Sequence, residues 1–314
     1  MTEQIALFGP ADAELRIVED LVAKSIANDP PEVARPLAEL FAAGGKRIRP
    51  ALLVLAAMCG TYDRDRTIPA AMAVELTHAA TLVHDDVIDR SPTRRGRPTV
   101  AAALGDEPAI VIGDFYFAKA YELAARTNTP EVVAILARAV MEICAGEVRQ
   151  QSIRHHYTTS VDEYMRRIEA KTATLLAACC DIGALLGGLD ETRRSALREY
   201  GRRLGLAFQI ADDVLDYTGT EGEVGKPIGH DIREGFATLP LMLARIDLED
   251  GRRLSEHEAR KVVDAVRKSD GPRRALDEAR DHADAARGKL QEIDGGEAVS
   301  ALVALAGYVV SRKL

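Results

Sequence analysis

Ala79-Ala80-Thr81-Leu82-Val83-His84-Asp85-Asp86-Val87-Ile88-Asp89 reads as an apolar helix that ends in three carboxylates. Far down the chain, Leu206-Ala207-Phe208-Gln209-Ile210-Ala211-Asp212-Asp213-Val214-Leu215-Asp216 repeats the pattern. Carboxylates on an apolar helix are costly unless cations meet them. Residues four apart share a helix face, and neighbours are offset by about 100°. Asp85 and Asp89 therefore point one way with Asp86 beside them, and Asp212 and Asp216 do the same beside Asp213. Two such clusters point to one site lined from both sides, with metal ions between. All-oxygen ligation suits a hard cation, and Mg²⁺ takes its remaining ligands from water and phosphates. No Cys/His spacing reads as zinc.

Basic residues near the first cluster name the ligand. Gly44-Gly45-Lys46-Arg47-Ile48-Arg49-Pro50 places three cations just before an apolar run, and Arg94-Arg95-Gly96-Arg97 follows the first Asp cluster. Arginine binds phosphate through a planar fork of donors and lysine as a point charge. Carboxylates with Mg²⁺ facing such cations suit a diphosphate.

Outward from these motifs the chain reads as nearly all helix, an all-α fold. Apolar residues recur at three and four spacing through Leu15 to Ile26, Val33 to Ala43, Ala51 to Cys59, Ile68 to Ile88, Ala109 to Ala125 and Val132 to Val148. They continue through Val161 to Leu186, Arg193 to Tyr217 and Leu239 to Ile246, then Glu256 to Ser269, Pro272 to Glu292 and Gly296 to Lys313. No alternating strand stands out. Thr67, Ser160 (with Glu163 in a capping box) and Ser255 are the expected helix starts. Gly219 to Gly235 is the longest Gly-rich loop, and its place after the second Asp cluster marks it as functional. With no Pro/Gly/Ser linker, 1–314 is expected to be a single domain.

Composition narrows the class. A formal charge of −8, with basic residues scattered among acids, argues against a nucleic-acid partner. Cys59, Cys144, Cys179 and Cys180 sit among apolar residues and read as buried thiols of a reducing, cytoplasmic compartment. The longest apolar run, Ala51 to Gly60, is too short to span a bilayer, and no signal peptide is read.

The motifs resemble those of the trans-isoprenyl diphosphate synthases, or polyprenyl synthetases. The likeness joins the Gly44–Pro50 and Glu75–Asp89 stretches to Arg94-Arg95-Gly96, Gly113-Asp114-Phe115 and Lys171-Thr172-Ala173. It goes on through Phe208–Asp216 and Gly225-Lys226-Pro227-Ile228-Gly229-His230-Asp231. It covers the chain from about Pro36 to the C-terminus, and the full set in this order is far more specific than one Asp motif.

The resemblance implies an isoprenoid synthase helical bundle with a central cavity lined by two Asp-rich helices, and a homodimer. It implies Mg²⁺, about three ions to a site, held by Asp85, Asp89 and Asp212 with Asp86, Asp213 and Asp216 in support. The implied reaction ionises an allylic prenyl diphosphate. Isopentenyl diphosphate attacks the cation, and a proton is lost to the released diphosphate. Lys46, Arg49, His78 and Arg95 match positions that hold isopentenyl diphosphate. Arg94, Lys171 and Lys226 match those that hold the allylic diphosphate, and Thr172 and Gln209 those whose oxygens face the cation. His84 is read as structural and Phe115-Tyr116-Phe117 as core.

One departure stands out: Phe236 occupies a place where many members of that family carry lysine. Small Ala80, five residues before Asp85, with Thr81 next to it, leaves the path for a growing chain open. Met141 or Ile143 would then form a deeper floor. The expected product is longer than geranylgeranyl, about six to eight isoprene units by the resemblance, and needs a membrane or carrier for its release. A short-chain synthase is the alternative. A class I terpene cyclase would carry a different second metal motif and an aromatic-lined cavity, but this chain has 4% aromatics and no Trp. A non-catalytic partner subunit tends to lose its Asp motifs, and here both are intact.

Overall fold

A computed structural model describes residues 8–219 and 228–311. Among the described residues the regular structure is helical except for one two-residue β-ladder. The helices are α1 (Asp12–Ala27), α2 (Pro31–Ala42), α3 (Ile48–Met58), α4 (Arg64–Ile88), α5 (Val100–Leu104), α6 (Asp106–Ala125) and α7 (Pro130–Ser152). There follow α8 (Val161–Ile168), α9 (Thr174–Leu186), α10 (Glu191–Thr218), α11 (His230–Glu234), α12 (Leu239–Ala244), α13 (Glu256–Lys268), α14 (Gly271–Lys289) and α15 (Glu297–Ser311). The chain forms two compact units. One comprises Met1–Val140, Ala178–Arg198 and Glu292–Leu302, the other Met141–Ala177, Glu199–Gln291 and Val303–Leu314.

In the first unit α4 is the central element. Its side chains from Ile68 to Ala80 are buried almost all round, so the 3.6-residue stripe of a surface helix is absent and an Ala-rich cylinder replaces it. That cylinder packs on α6, α3 and α1. The helix starts three residues before the expected Thr67. Asp63 caps it by accepting from the Asp65 N–H at 3.0 Å, and the Thr67 hydroxyl donates to the Asp63 carbonyl. His84 is structural as expected: Nε2 lies 2.9 Å from the Ile110 carbonyl oxygen and the ring leans on Phe117. Tyr116 is fully buried and donates its hydroxyl to the Val33 carbonyl.

The pairing of β1 (Thr93–Arg94) with β2 (Arg97–Pro98) corrects the expectation of no strand. Arg95 and Gly96 both have positive φ, as a two-residue primed turn requires. Two residues a side are too few for alternation to show in sequence.

In the second unit Tyr164, Ile168, Ala173, Leu206, Ile210 and Val214 share a core with Leu239, Ala275 and Ala279. The expected continuous helix from Val161 to Leu186 is interrupted by a π-turn at Glu169–Ala173. Such turns recur at functional sites, and this one carries Lys171 and Thr172. Gly205 makes room for it: a Cβ there would lie 2.4 Å from the Ala173 Cα. Ser160 caps α8 by accepting from the Glu163 N–H, but the Glu163 carboxylate is taken by Arg149 and Arg166 and the expected capping box is not made there; Ser255 caps α13 in a full capping box. Part of the Gly219–Gly235 stretch is helical, as α11, and 220–227 lie outside the described residues. Cys179 and Cys180 are buried and Cys59 half-buried, but Cys144 is exposed. It stands on one face of α7 with Met141 and Val148, 69% and 75% exposed. Met141 therefore forms no interior floor, whereas Ile143 is buried.

Candidate active site

The first unit gathers cations around the end of α4. His78 shares a helix face with Asp85, seven residues on. Burial drives the His78 pKa far below the ordinary histidine value, and Arg49, Arg95, Arg94 and Arg47 push it the same way. The imidazole is therefore neutral. Arg95 itself is driven below the usual guanidinium value, by desolvation and then by Arg94 and Arg47, with Glu75 opposing. A basin whose guanidinium groups repel one another is built to receive a polyanion.

Each cation is held differently. Arg47 has left-handed backbone at the start of α3. Its guanidinium lies over the Phe41 ring and bonds Glu75 at 2.6 Å and Glu19 at 2.9 Å. Those carboxylates outweigh its burial and raise its pKa, so Arg47 is an anchor rather than a ligand-facing group. In sequence Arg47 counts as one of three ligand-binding cations, and Glu75 carries no role of its own. Gly45 lets the basin close up, since a Cβ there would stand 3.0 Å from the Arg47 Nη1 and 3.3 Å from the Arg95 Nη1. Arg49 opens the first turn of α3, and Lys46 is exposed in the loop before it.

The three carboxylates of the first motif divide in two. Asp85 and Asp89 are half-buried one turn apart, with the Asp89 N–H on the Asp85 carbonyl at 2.8 Å. Asp86 is 3% exposed and clamped by Arg94, whose Nε lies 3.0 Å from both carboxylate oxygens and whose Nη2 lies 2.8 Å from Oδ1. The hairpin delivers Arg94 to Asp86, and the Ser91 N–H bonds the Asp86 carbonyl at 3.0 Å.

The second unit holds the other motif. Asp212 is half-buried, whereas Asp213 and Asp216 are buried. Asp216 receives the His230 and Asp231 N–H groups at 3.0 and 3.1 Å, and so fixes the start of α11. Asp213 accepts from Gln209 Nε2 at 2.8 Å and from the Tyr164 hydroxyl at 2.7 Å. Gln209 Oε1 in turn accepts from the Thr172 hydroxyl at 2.7 Å. Burial pushes the Asp213 pKa well up and Asp231 adds to it, while Gln209 and Tyr164 pull it back. Lys171 pairs with Glu147 at 2.7 Å. Phe236, in the place of the lysine, is buried with the Arg154 and Arg167 guanidiniums over its ring at 5.7 and 5.6 Å. Lys226 lies outside the described residues.

Tyr164, Glu147 and Arg167 went unnoticed in the sequence because no motif carries them. Tyr164 and Asp213 are 49 positions apart. Among the described residues, no group of three or more His, Cys, Asp or Glu side chains forms a ready metal cage. Asp85 and Asp89 stand half-buried one turn apart and Asp212 is half-buried on α10, carboxylate donors suited to an ion that keeps water and phosphate ligands, so the residues present fit Mg²⁺. No helix of the described residues is long and apolar enough to cross a membrane.

Residues 30–269 match the family model described as Polyprenyl synthetase. The chain is 34% identical over 307 residues to heptaprenyl diphosphate synthase component 2 of Bacillus subtilis (96% of this chain, 88% of the relative). It is 44% identical over 223 residues to a short chain isoprenyl diphosphate synthase of Methanocaldococcus jannaschii (69% and 68%). Among solved structures, the polyprenyl synthase of Caulobacter crescentus CB15, complexed with calcium and isoprenyl diphosphate, matches with a TM-score of 0.92. Its identity is 40%, over 98% of this chain and 97% of that one.

Proposed function

The chain belongs to the polyprenyl synthetase family and is a prenyltransferase, and from that premise we propose the reaction it catalyses. Isopentenyl diphosphate condenses head to tail (1′–4) with an allylic prenyl diphosphate. Diphosphate leaves, and an all-trans polyprenyl diphosphate of about six to eight isoprene units results, Ala80 being too small to block growth. Residues 1–314 act as one polyprenyl synthetase domain. The observation that carries the reading is the guanidinium basin around neutral His78, on the face of α4 that bears Asp85.

Asp85, Asp89 and Asp212, with Asp213 and Asp216 in support, would hold Mg²⁺, which when bound would neutralise charge on the leaving diphosphate. Lys46, Arg49, Arg95 and neutral His78 bind isopentenyl diphosphate, the imidazole as a hydrogen-bond donor. Arg94, Lys171 and Lys226 bind the allylic diphosphate. A guanidinium has five N–H donors, and Asp86 engages Arg94 through Nε and Nη2. The Nη1 donors remain for phosphate, so Asp86 aims Arg94. Thr172 and Gln209 turn oxygen lone pairs toward the allylic cation. Isopentenyl diphosphate supplies the nucleophilic double bond, so the chemistry asks for no protein nucleophile.

The enzyme works in the cytoplasm as a homodimer and hands its product to a membrane or carrier. Exposed Ile110 and Val111 on α6, and Met141 and Val148 on α7, are apolar surface that a second copy would cover. A shorter product is the alternative reading, which the relative named as a short chain synthase supports. The relative named as a component of a heptaprenyl synthase raises the further alternative of a partner subunit.

The test is incubation of the purified chain with farnesyl diphosphate, labelled isopentenyl diphosphate and Mg²⁺, followed by product chromatography. Label should enter prenyl diphosphates of about thirty to forty carbons, and chelator should abolish it. A cyclic product made without isopentenyl diphosphate, or full activity in excess chelator, overturns the mechanism. Inactivity of the chain alone points to the partner-subunit reading.

A further inference from the structure

The buried chain behind Gln209 has a direction. The Thr172 hydroxyl donates to Gln209 Oε1, and the Gln209 amide donates to Asp213 Oδ1. The Tyr164 hydroxyl donates to Asp213 Oδ2 from the other side. Every donor points toward Asp213. Both Asp213 oxygens are engaged as acceptors, one by the Tyr164 hydroxyl and one by Gln209, so the amide of Gln209 presents NH₂ to Asp213 and its oxygen to Thr172. That oxygen consumes the Thr172 proton, and the hydroxyl is left with lone pairs for what lies beyond it. Reversing the amide would place NH₂ against Thr172 and turn the hydroxyl proton outward. The sign of the dipole at Thr172 is therefore decided at Asp213.

Tyr164 is fully buried. Arg167 stands over its ring at 5.4 Å and donates to the Ala237 carbonyl at 2.8 Å, which fixes the ring from its other side. The π-turn at Glu169–Ala173 carries Thr172 to Gln209, and the same segment of chain carries Tyr164 on α8 to Asp213.

We propose that Tyr164 is a positioning residue for prenyl transfer: by holding Asp213 from the side opposite Gln209, it orients the amide so that Thr172 and Gln209 present only acceptor oxygens to the allylic cation. The assignment rests on the prenyltransferase reading of this site. Tyr164 touches no substrate and acts through three hydrogen bonds. Its removal should slow ionisation without weakening either diphosphate contact, since fixed dipoles matter where charge develops.

The test is a double-mutant cycle in the full-length protein with Tyr164→Phe, Thr172→Val and their combination. The readouts are kcat, both KM values, and the melting temperature without Mg²⁺ or substrate. Tyr164→Phe keeps the ring under Arg167. It should lower kcat roughly tenfold and leave both KM values within about twofold. The double variant should be no slower than the slower single variant, because both changes break one chain. Losses in kcat that multiply, or an unchanged kcat in Tyr164→Phe, overturn the proposal. If Tyr164→Phe does not fold, 3-fluorotyrosine at this position carries the test. It retains the shape and strengthens the donor, so kcat must shift, and an unchanged kcat overturns the proposal. A wild-type chain that makes no prenyl product would instead defeat the functional reading.

Discussion

Adjacent arginines in one hairpin turn should change stability in opposite directions. Replacing Arg94 by Met removes the clamp on Asp86, a carboxylate 3% exposed that the guanidinium holds through Nε and Nη2. Breaking a buried pair from one side costs about 3–5 kcal/mol, because the remaining charge stays desolvated. The Arg94 side chain is itself 17% exposed, which places the loss near the lower end, about 3 kcal/mol. For a chain of this size that is a fall in Tm of about 6 °C. Replacing Arg95 by Met removes a charge that burial and the Arg94 and Arg47 guanidiniums disfavour. The melting temperature should hold or rise by roughly 1 °C at low salt, and the gain should fade as salt screens the repulsion. Thermal melts of both variants at pH 7, without divalent cation or diphosphate, decide the matter. Both should also lose turnover, so that Arg95→Met is a more stable and less active protein. A rise in Tm for Arg94→Met, or a fall of several degrees for Arg95→Met, refutes the division of labour between clamp and ligand.

Asp85→Ala or Asp212→Ala should cost several orders of magnitude in kcat/KM at saturating Mg²⁺, each ~1.4 kcal/mol of lost charge stabilisation being tenfold. Activity within tenfold of wild type would exclude the residue as a metal ligand. Lys46→Ala and Arg49→Ala should chiefly raise KM for isopentenyl diphosphate, and Lys226→Ala that for the allylic partner; equal effects on both substrates would undo the assignment of subsites. Ala80→Phe should shorten the product by setting a ring across the proposed path of the growing chain; chromatography showing unchanged chain length would refute the open path. His282 is pushed down to about 4 by burial, then by Arg203 and Arg202. Below its unfolded value the unfolded chain takes up the proton first, so stability should fall as pH drops from about 6.5 toward 4, by at most about 3 kcal/mol. His282→Gln should flatten that fall in a pH series of melts, and an unaltered slope would assign it elsewhere.

Periodicity carried the helical class and the approximate extent of most of the long helices, because burying one face of a helix leaves a repeat in sequence, whereas five-residue α5 and α11 are too short to show one. Motif spacing singled out Asp85, Asp89 and Asp212, since helical geometry turns a spacing of three or four into a shared face, and the family resemblance added Thr172 and Gln209. What the sequence could not contain was the direction of each contact. Arg47, Arg49, Arg94 and Arg95 are equivalent letters in a basic run. Only packing against Glu19, Glu75 and Asp86 ties Arg47 and Arg94 to particular carboxylates, while all four crowd His78. The π-turn that lifts Thr172 onto Gln209 arises from one extra residue in a helical turn, which leaves the apolar pattern nearly unchanged. Tyr164 meets Asp213 across 49 residues, a separation at which hydrogen-bond partners are chosen by the tertiary fold alone. Cys144 and Met141 show the converse. An apolar neighbourhood in sequence was read as burial, yet their face of α7 is uncovered in a single chain. Local spacing sets which face of its helix a side chain occupies, and only the packing of other elements decides whether that face meets a partner, a ligand or water.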